Sequence, residues 1–476
     1  MAIELKIPGI REYVLDRLDA ILNPKSVAVV GASRKEGKIG HTVVKNLIQG
    51  GFKGKIYPIN PKADEILGLK AYPSLKDVPD EVDLAIIVVP AKITPQVIRE
   101  AGEKGVKGLV VITAGFSEVG NKELEDEIVR IAREYKMPLI GPNVVGVLNA
   151  NVNLNASFAQ DLPYPGKIAF ISQSGALVIG LIGWTHMYRV GISKIVSIGN
   201  KADVDFSELI TYFAERDPET KVIAIYMEGT DAGRELVEAT KRAMKAGKVV
   251  VILKGGRSKR GELATMSHTG SLAGSAKVYQ AAFKQGYVIE VDNLTELYDV
   301  PLALANQPPA KNDNIIVITN GGGAGVLATD AAERYGIPLS DTPSELKKIL
   351  RNFMPPFGSD KNPVDLTGQA NEEDYYGAIV ETAKFPGVGG IVALYCHTAI
   401  TDPMKLAQKI RDAAKVANER GIPVTVSMIG GEEVERANLW LREQGVPAYP
   451  TPERAVRAMG ALRQFGRYLE KIKRVS

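Results

Sequence analysis

The chain is a succession of short apolar runs, each closed by a polar or Gly-rich turn and followed by a segment of helical periodicity. Three stretches repeat this grammar. In the first, from about 24 to 149, apolar runs predict strands at 26–30, 55–59, 83–89, 108–113 and 138–140. A 3.6-residue period predicts helices at 40–49, 94–104 and 122–135. In the second, from about 165 to 306, strands are expected at 167–172, 194–198, 222–227 and 249–253. Helices are expected there at 176–188, 206–214, 233–246, 271–285 and 294–304. In the third, from about 312 to 461, strands fall at 315–319, 390–395 and 423–428, and helices at 325–335, 405–420, 432–444 and 452–465. Alternating strands and helices build parallel α/β layers, so the expected fold is α/β with three doubly wound parallel-sheet domains over 1–150, 151–309 and 310–476. The Pro-rich stretch 307–310 reads as a linker, and the basic tail beyond Arg467 as a frayed, solvated helix end. The three stretches share architecture but no sequence repeat.

Length and composition narrow the picture. At 476 residues the chain exceeds one ordinary domain. A hydrophobic share of 45% with 24% charged residues describes a soluble globular protein. The longest apolar runs, such as 84–89 and 315–319, are strand-length and too short to span a bilayer. Glu4, Arg11 and Asp16 break up the N-terminal region, which is no secretory signal. With Cys396 alone, no intrachain disulfide can form, and a reducing cytoplasm is the expected location. The net charge of +4 is small and dispersed, which argues against nucleic-acid binding. A few lysines aimed at one phosphorylated ligand fit this balance as well. Abundant Lys and Glu with scarce Cys is a hyperthermophile composition.

The chemistry centres on Met266-Ser267-His268-Thr269-Gly270-Ser271-Leu272-Ala273-Gly274-Ser275. This segment follows the apolar run 249–253 and a charged loop at 257–262, and precedes the expected helix at 271–285. A histidine just ahead of a helix start can carry a phosphoryl group, because free N–H groups and the helix dipole favour the added negative charge. The three other histidines weigh less. His41, in a first helical turn, reads as a partly exposed polar residue. His186, near Trp184 and Met187 in an apolar helix, reads as core or interface. Cys396 and His397 are adjacent on a strand and point to opposite faces, so Cys396 reads as a buried thiol rather than a paired nucleophile. No metal-ligand spacing is recognisable.

Three Gly-rich turns join strand to helix. The first runs from Gly31 through Ser33, Arg34, Lys35 and Lys38 to Gly40. Its amides can face a phosphate. Ser33 stands where a dinucleotide fingerprint needs Gly, and strand two ends in Asn60-Pro61-Lys62 rather than in a ribose-gripping acid. A phosphate-rich nucleotide other than NAD is favoured, coenzyme A first, with Lys62 suited to an extra phosphate. Pro90 and Thr113-Ala114 close later strands at the same sheet edge. A generic turn with solvated lysines is an equal reading of the loop alone. The second turn is Ser172-Gln173-Ser174-Gly175. Ser174 alone reads best as an N-cap, though its hydroxyl and amide could also meet an oxyanion. Glu228 ends an apolar strand, where it could hold one ring nitrogen of a histidine and leave the other nucleophilic, or simply balance a helix dipole. The third turn, Asn320-Gly321-Gly322-Gly323-Ala324-Gly325, has more glycine than a turn needs and suggests close backbone approach to an anion or another loop. No Gly-Lys-Ser/Thr follows, so it is no Walker motif.

Together these segments resemble the alpha subunit of the ADP-forming acyl-CoA synthetases, in the superfamily of succinyl-CoA synthetase. The resemblance runs from Leu22 to about Phe465 and rests on Asn23 to Ser33, Ile171 to Ala176, Ser197 to Asp203, Tyr226 to Gly229, Ser267 to Gly270, Asn320 to Gly323 and Asn362 to Leu366. It implies a Rossmann-like CoA-binding domain followed by two flavodoxin-like domains. It implies the reaction acyl-CoA + ADP + phosphate ⇌ acid + ATP + CoA, catalysed by an acid–thiol ligase. His268 would take the phosphoryl group from an acyl phosphate, with Glu228 orienting the imidazole. Ser174, Gly175, Gly321, Gly322 and Gly323 would cradle phosphate, and the CoA set would include Asn143 beside the residues of the first domain named above. The superfamily's ATP-grasp domain is not recognisable in this sequence. A separate beta subunit is therefore expected to supply it, with ADP/ATP and Mg2+ bound there, in an α2β2 assembly. The runner-up is a non-catalytic acyl-CoA sensor or scaffold on the same fold, which would have no need of Glu228 and His268. An acetyltransferase would require an added domain, and an NAD enzyme lacks its fingerprint.

Overall fold

The computed structural model describes residues 9–269 and 275–475, with backbone alone for 266–269 and 475. Three mainly parallel sheets carry the fold, and the chain divides into two compact units, Met1–Glu290 and Val291–Ser476.

In the first sheet the strands lie in the order Lys55–Ile59, Ser26–Val30, Leu84–Ile87, Gly108–Val111, Leu139–Ile140, all parallel. Ser26–Val30 is buried along its whole length, as a central parallel strand with helices on both faces must be. Val27, Val29, Val43 and Leu47 fill one face, and Ala28, Val30, Ile98 and Val111 the other. The chain leaves Ser26–Val30 in opposite directions, so a topological switch point opens beside Leu84–Ile87, where such sheets take ligands.

The second sheet runs Ile289–Val291, Val249–Lys254, Val222–Met227, Pro165–Ser172, Ile192–Ser197, Gly146–Asn149, Leu154–Ser157. Its last two strands are antiparallel and were invisible to the pattern, because four residues are too few to show a period. Two expectations change here. The charged stretch expected as a loop at 257–262 opens a helix, Lys259–Thr269, and of the helix expected at 271–285 the part Ala276–Gln285 is seen, residues 271–274 lying outside the described ones. The backbone of His268 therefore lies in the last turn of a helix, where the dipole favours positive charge.

The third sheet runs Val364–Asp365, Ile315–Thr319, Gly390–Cys396, Val424–Ile429, Ala448–Tyr449, again parallel. The expected linker at 307–310 is instead seated in the second unit. Gln307 donates to the Gly445 carbonyl at 3.0 Å and accepts from the Val424 N–H at 2.9 Å, and the Ala310 N–H reaches Leu462 O at 3.1 Å. The terminal helix is Pro452–Val475, so the tail beyond Arg467 continues it. Arg463 and Arg467 share Asp313 at 2.7 Å each. Helix Leu294–Asn306 is joined to the terminal helix by Asp299–Arg454 and Glu296–Arg457 ion pairs at 2.6 and 2.9 Å. No helix among the described residues is long and apolar enough to cross a membrane.

Candidate active site

A cleft of about 1790 Å³ opens at the carboxyl edges of the first two sheets. One end is built by the first Gly-rich turn. Gly31 has φ +94°, and a Cβ there would stand 2.8 Å from Val88 O. A Cβ on Gly40 would meet Gly31 O at 2.0 Å. Only glycine lets the turn close this tightly onto the helix Ile39–Gln49. Asn60 braces the turn: its amide donates to Ala32 O at 2.7 Å and its oxygen accepts from the Lys62 N–H at 2.8 Å.

The expected CoA residues divide by position. Gly31, Ser33, Lys38, Gly40, Asn60, Pro90, Thr113, Ala114 and Asn143 line the cleft. Arg34, Lys35 and Lys62 are exposed beside it and do not line it. The Arg34 guanidinium donates to Lys62 O at 3.2 Å, so these side chains share one rim. Asn143 has φ 61°, a left-handed conformation that asparagine tolerates well.

The opposite end of the cleft is Gln173, Ser174, Gly175, Ala176 and Ile179. Ser174 Oγ accepts from the Leu177 N–H at 3.3 Å, so the N-cap reading of this serine is the one its hydroxyl makes. The first N–H groups of an α-helix have no intrahelical partner, so the start of helix Gly175–Tyr188 can meet an anion. A Cβ on Gly175 would lie 2.8 Å from a methyl of Val145, which brings an apolar wall directly against this helix start. Val144, Val145, Phe158, Ala176 and Ile179 form that wall, which the sequence did not reveal. Its members come from separate elements and share no spacing.

Glu118 is a second group missed from sequence. Its carboxylate accepts from the Phe116 N–H at 3.2 Å and from Asn200 Nδ2 at 2.6 Å, and it lines the cleft. Burial pushes its pKa up, but hydrogen bonds from the Gly115 N–H and Asn200 outweigh that and hold it below the ordinary carboxylate range.

Glu228 lies just past the end of strand Val222–Met227 and is buried. Gln173 fixes its backbone, accepting from the N–H of Glu228 at 2.5 Å and of Gly229 at 3.0 Å. Tyr226 OH donates to Glu228 Oε1 at 3.4 Å, and burial with the neighbouring carboxylate pushes the phenol up to about 12. The side chain of His268 lies outside the described residues, so its expected pairing with Glu228 belongs to the proposal below.

In the second unit, Gly321–Gly323 begins the helix Gly322–Arg334. Asp365 Oδ2 comes within 3.3 Å of where a Gly322 Cβ would be, so a carboxylate already borders this helix start. Asn320 ties the first strand to the third, donating to Cys396 O at 2.9 Å and accepting from the Cys396 N–H at 2.8 Å. Cys396 is half-buried rather than buried, and burial with Asp365 pushes its thiol up, opposite to what a nucleophile needs. His41 is buried, with Nδ1 2.9 Å from Ser33 O, so it supports the first turn instead of facing solvent. His186 is exposed, not core, and its Nε2 contacts Leu162 O at 2.8 Å. Among the described residues no group of three or more His, Cys, Asp or Glu could hold a metal ion.

Three family models match the chain. Residues 25–150 match a CoA-binding domain, 165–304 a succinyl-CoA ligase-like flavodoxin domain, and 315–473 a ligase-CoA domain. Fold and matches together define a CoA ligase-type α/β protein. The alpha subunit of acetate–CoA ligase [ADP-forming] I from Pyrococcus furiosus is 49% identical, over 96% of this chain and 99% of that one. An acetate–CoA ligase [ADP-forming] from Methanocaldococcus jannaschii is 43% identical over 97% of this chain, which spans 66% of that longer relative. The solved structure of a dinucleotide-forming acetyl-coenzyme A synthetase 1 from Ca. Korarchaeum cryptofilum, in complex with phosphate and ADP, superposes with a TM-score of 0.91. It is 46% identical, over 96% of this chain and 98% of that one. The chain belongs to the alpha-subunit family of the ADP-forming acetate–CoA ligases.

Proposed function

We infer that this chain is the alpha subunit of an ADP-forming acyl-CoA ligase, which turns acyl-CoA, ADP and phosphate into acid, ATP and CoA. The observation that carries this reading is the single cleft running from the Gly31–Gly40 turn to the helix start at Ser174–Gly175. It offers a phosphate-rich nucleotide one end and a free anion the other. CoA lies along Gly31, Ser33, Lys38, Gly40, Asn60, Pro90, Thr113, Ala114 and Asn143, with Arg34, Lys35 and Lys62 on the rim. Its acyl group reaches the Val145–Phe158–Ile179 wall. Phosphate at the Gly175 helix start attacks the thioester carbonyl; the C–S bond breaks and CoA leaves as thiolate. The resulting acyl phosphate passes its phosphoryl group to His268. The P–O bond to the acyl carboxylate breaks, a P–N bond forms, and the acid leaves as its anion. Glu228 holds the other ring N–H, which keeps the attacking nitrogen unprotonated and balances the charge the ring gains. The resemblance also gives Gly321–Gly323, at the start of helix Gly322–Arg334, a part in binding phosphate. A beta subunit of ATP-grasp type, binding ADP with Mg2+, receives the phosphoryl group in an α2β2 assembly.

The test is phosphoryl labelling. The chain assembled with an ATP-grasp partner is given acetyl-CoA and labelled phosphate. Base-stable, acid-labile label is expected on wild type and absent from His268→Ala, while CoA binding is retained. Glu228→Gln is expected to slow labelling far more than it weakens CoA binding. Label persisting on His268→Ala overturns the phosphohistidine.

A further inference from the structure

One cation of the cleft has no part in the mechanism above. Lys201 lines the cleft and is half-buried. It stands where the two sheets of the first unit meet. The chain passes from strand Leu139–Ile140 of the first sheet to strand Gly146–Asn149 of the second through residues 141–145. A strap, residues 199–204, follows strand Ile192–Ser197 and runs back along that passage. Its N–H groups hold it there: Asn200 bonds Pro142 O at 3.0 Å, Ala202 bonds Gly141 O at 3.0 Å and Val204 bonds Leu139 O at 3.2 Å. Asp203 Oδ2 accepts from the Leu139 N–H at 3.0 Å in return. A Cβ on Gly199 would meet Asn143 O at 2.3 Å, so the strap lies directly against the residues that lead into Val144 and Val145 of the apolar wall.

Strand register sets the other neighbour. Ser197 pairs with Ser172, and the Ile198 N–H reaches Ser172 O at 2.9 Å. The strap and the Ser174–Gly175 helix start therefore leave adjacent strands at one sheet edge. A ligand that reaches from the Gly31–Gly40 turn to that helix start crosses the junction where Lys201 stands. The Lys201 backbone is held in the left-handed region, φ 46°, with its N–H on Ile198 O at 2.8 Å. Lysine bears that conformation less easily than asparagine does, and a strained residue on a ligand cleft is a candidate for function. The other charged side chains that line the cleft are Lys38, Glu100, Glu118, Lys122, Glu125 and Asp231. Lys38 belongs to the first turn, at the opposite end. Lys122 is matched by Glu125 and Asp126 at 2.9 Å each. Glu100 accepts from the Leu75 N–H at 2.6 Å, and Glu118 and Glu125 share the Asn200 amide at 2.6 and 2.9 Å. Asp231 is exposed.

We propose that Lys201 is a catalytic residue of the thioester step: its ammonium pairs with the sulfur of CoA as the C–S bond breaks and the electron pair passes to sulfur, and it keeps its own protons. This rests on the reading of the cleft as the acyl-CoA site. The helix start at Gly175 supplies N–H groups for the incoming phosphate. A thiolate leaving beside that phosphate needs a positive charge of its own, and a neighbouring lysine favours the thiolate form.

The experiment uses the assembled enzyme in wild type, Lys201→Asn and Lys201→Arg. Asparagine removes the charge and suits the left-handed backbone, so Lys201→Asn is expected to keep or raise the thermal midpoint and to bind CoA as wild type does. Two readouts follow the sulfur. Ultraviolet titration of the thiolate of bound CoA is expected to give a pKa below that of free CoA in wild type. It is expected to rise by about one unit or more in Lys201→Asn and to return in Lys201→Arg. Single-turnover release of CoA from acetyl-CoA and phosphate, read with a thiol reagent, is expected to fall about tenfold or more in Lys201→Asn, the factor that one such unit represents, and to recover in Lys201→Arg. A wild-type value of either readout in Lys201→Asn overturns the proposal. So does a bound thiol that titrates like free CoA in wild type. Loss of CoA binding in both variants overturns it as well, since it marks Lys201 as a packing residue. A wild type that binds no CoA, or releases none from acetyl-CoA and phosphate, defeats the reading of the cleft instead, and the two failures are thereby distinguished.

Discussion

Gln173 Oε1 accepts two backbone hydrogen bonds, from the N–H of Glu228 at 2.5 Å and of Gly229 at 3.0 Å. The residue just ahead of the Ser174–Gly175 helix start therefore also sets where the backbone of the buried carboxylate stands. Both amides are buried, and neither has water as an alternative. Gln173→Leu is expected to cost about 1–3 kcal/mol for each amide left unsatisfied. Denaturant unfolding should show a drop of that size. Phosphorylation of His268 should fall further than the loss of folded protein explains. Unchanged stability would mean that the turn relaxes without its glutamine.

Lys38 and Lys62 differ in position, and their variants should differ in kind. Lys38 lines the cleft, whereas Lys62 stands on its rim. Lys38→Ala is expected to weaken CoA and dephospho-CoA alike. Lys62→Ala is expected to weaken CoA alone, by several-fold, because an exposed ion pair contributes about 0.2–1 kcal/mol. Calorimetric titration with the two ligands separates these patterns.

The apolar wall against Gly175 should govern acyl size. Ile179 and Phe158 are apolar residues of the cleft. Ile179→Ala is expected to raise kcat/KM for isobutyryl-CoA relative to acetyl-CoA by about 10-fold or more, as each methylene in such a pocket is worth roughly 1–3 kcal/mol. Competition assays with paired acyl-CoAs measure the ratio directly. A ratio unchanged in both Ile179→Ala and Phe158→Ala would place the acyl group elsewhere.

Glu118 gives the site an acid-sensitive brace. Its folded-state pKa is depressed below the ordinary 4.5, so its stabilising effect is complete above 4.5 and is lost as pH falls through the folded value. The thermal midpoint is expected to fall on acidification below 4.5, and Glu118→Gln should remove part of that fall while leaving the neutral-pH midpoint lower. An identical pH profile in wild type and variant would show that Asn200 and the 115–118 turn hold without the charge.

Most of the sheets were legible because their central strands are buried on both faces. Val249–Lys254 and Ile315–Thr319 read as unbroken apolar runs for that reason. Two-residue strands such as Val364–Asp365 have no period to read. Helix Lys259–Thr269 hid behind Lys259, Arg260, Gly261 and Glu262, a composition indistinguishable from a solvated loop. Turns that place glycine under steric necessity, such as Gly31 and Gly40, announced one end of the cleft. Lys254 did not announce itself. A lysine before two glycines looks like the start of a loop, and only its strand register and burial show that it ends a core strand. Partnerships such as Gln173 with Glu228 span 55 residues and carry no local signal.

The seating of 307–310 and of helix Leu294–Asn306 bears on how this chain can be divided. A fragment beginning at residue 310 would strip away Asp299 and Glu296, leaving Arg454 and Arg457 without those carboxylates. It would also uncover the face where Leu297, Val300 and Leu302 are buried. The portable piece of the carboxyl half is the larger one, Val291–Ser476. A graft onto another protein, or a split into two co-expressed fragments, keeps its own buried charges matched only when the cut falls ahead of Leu294.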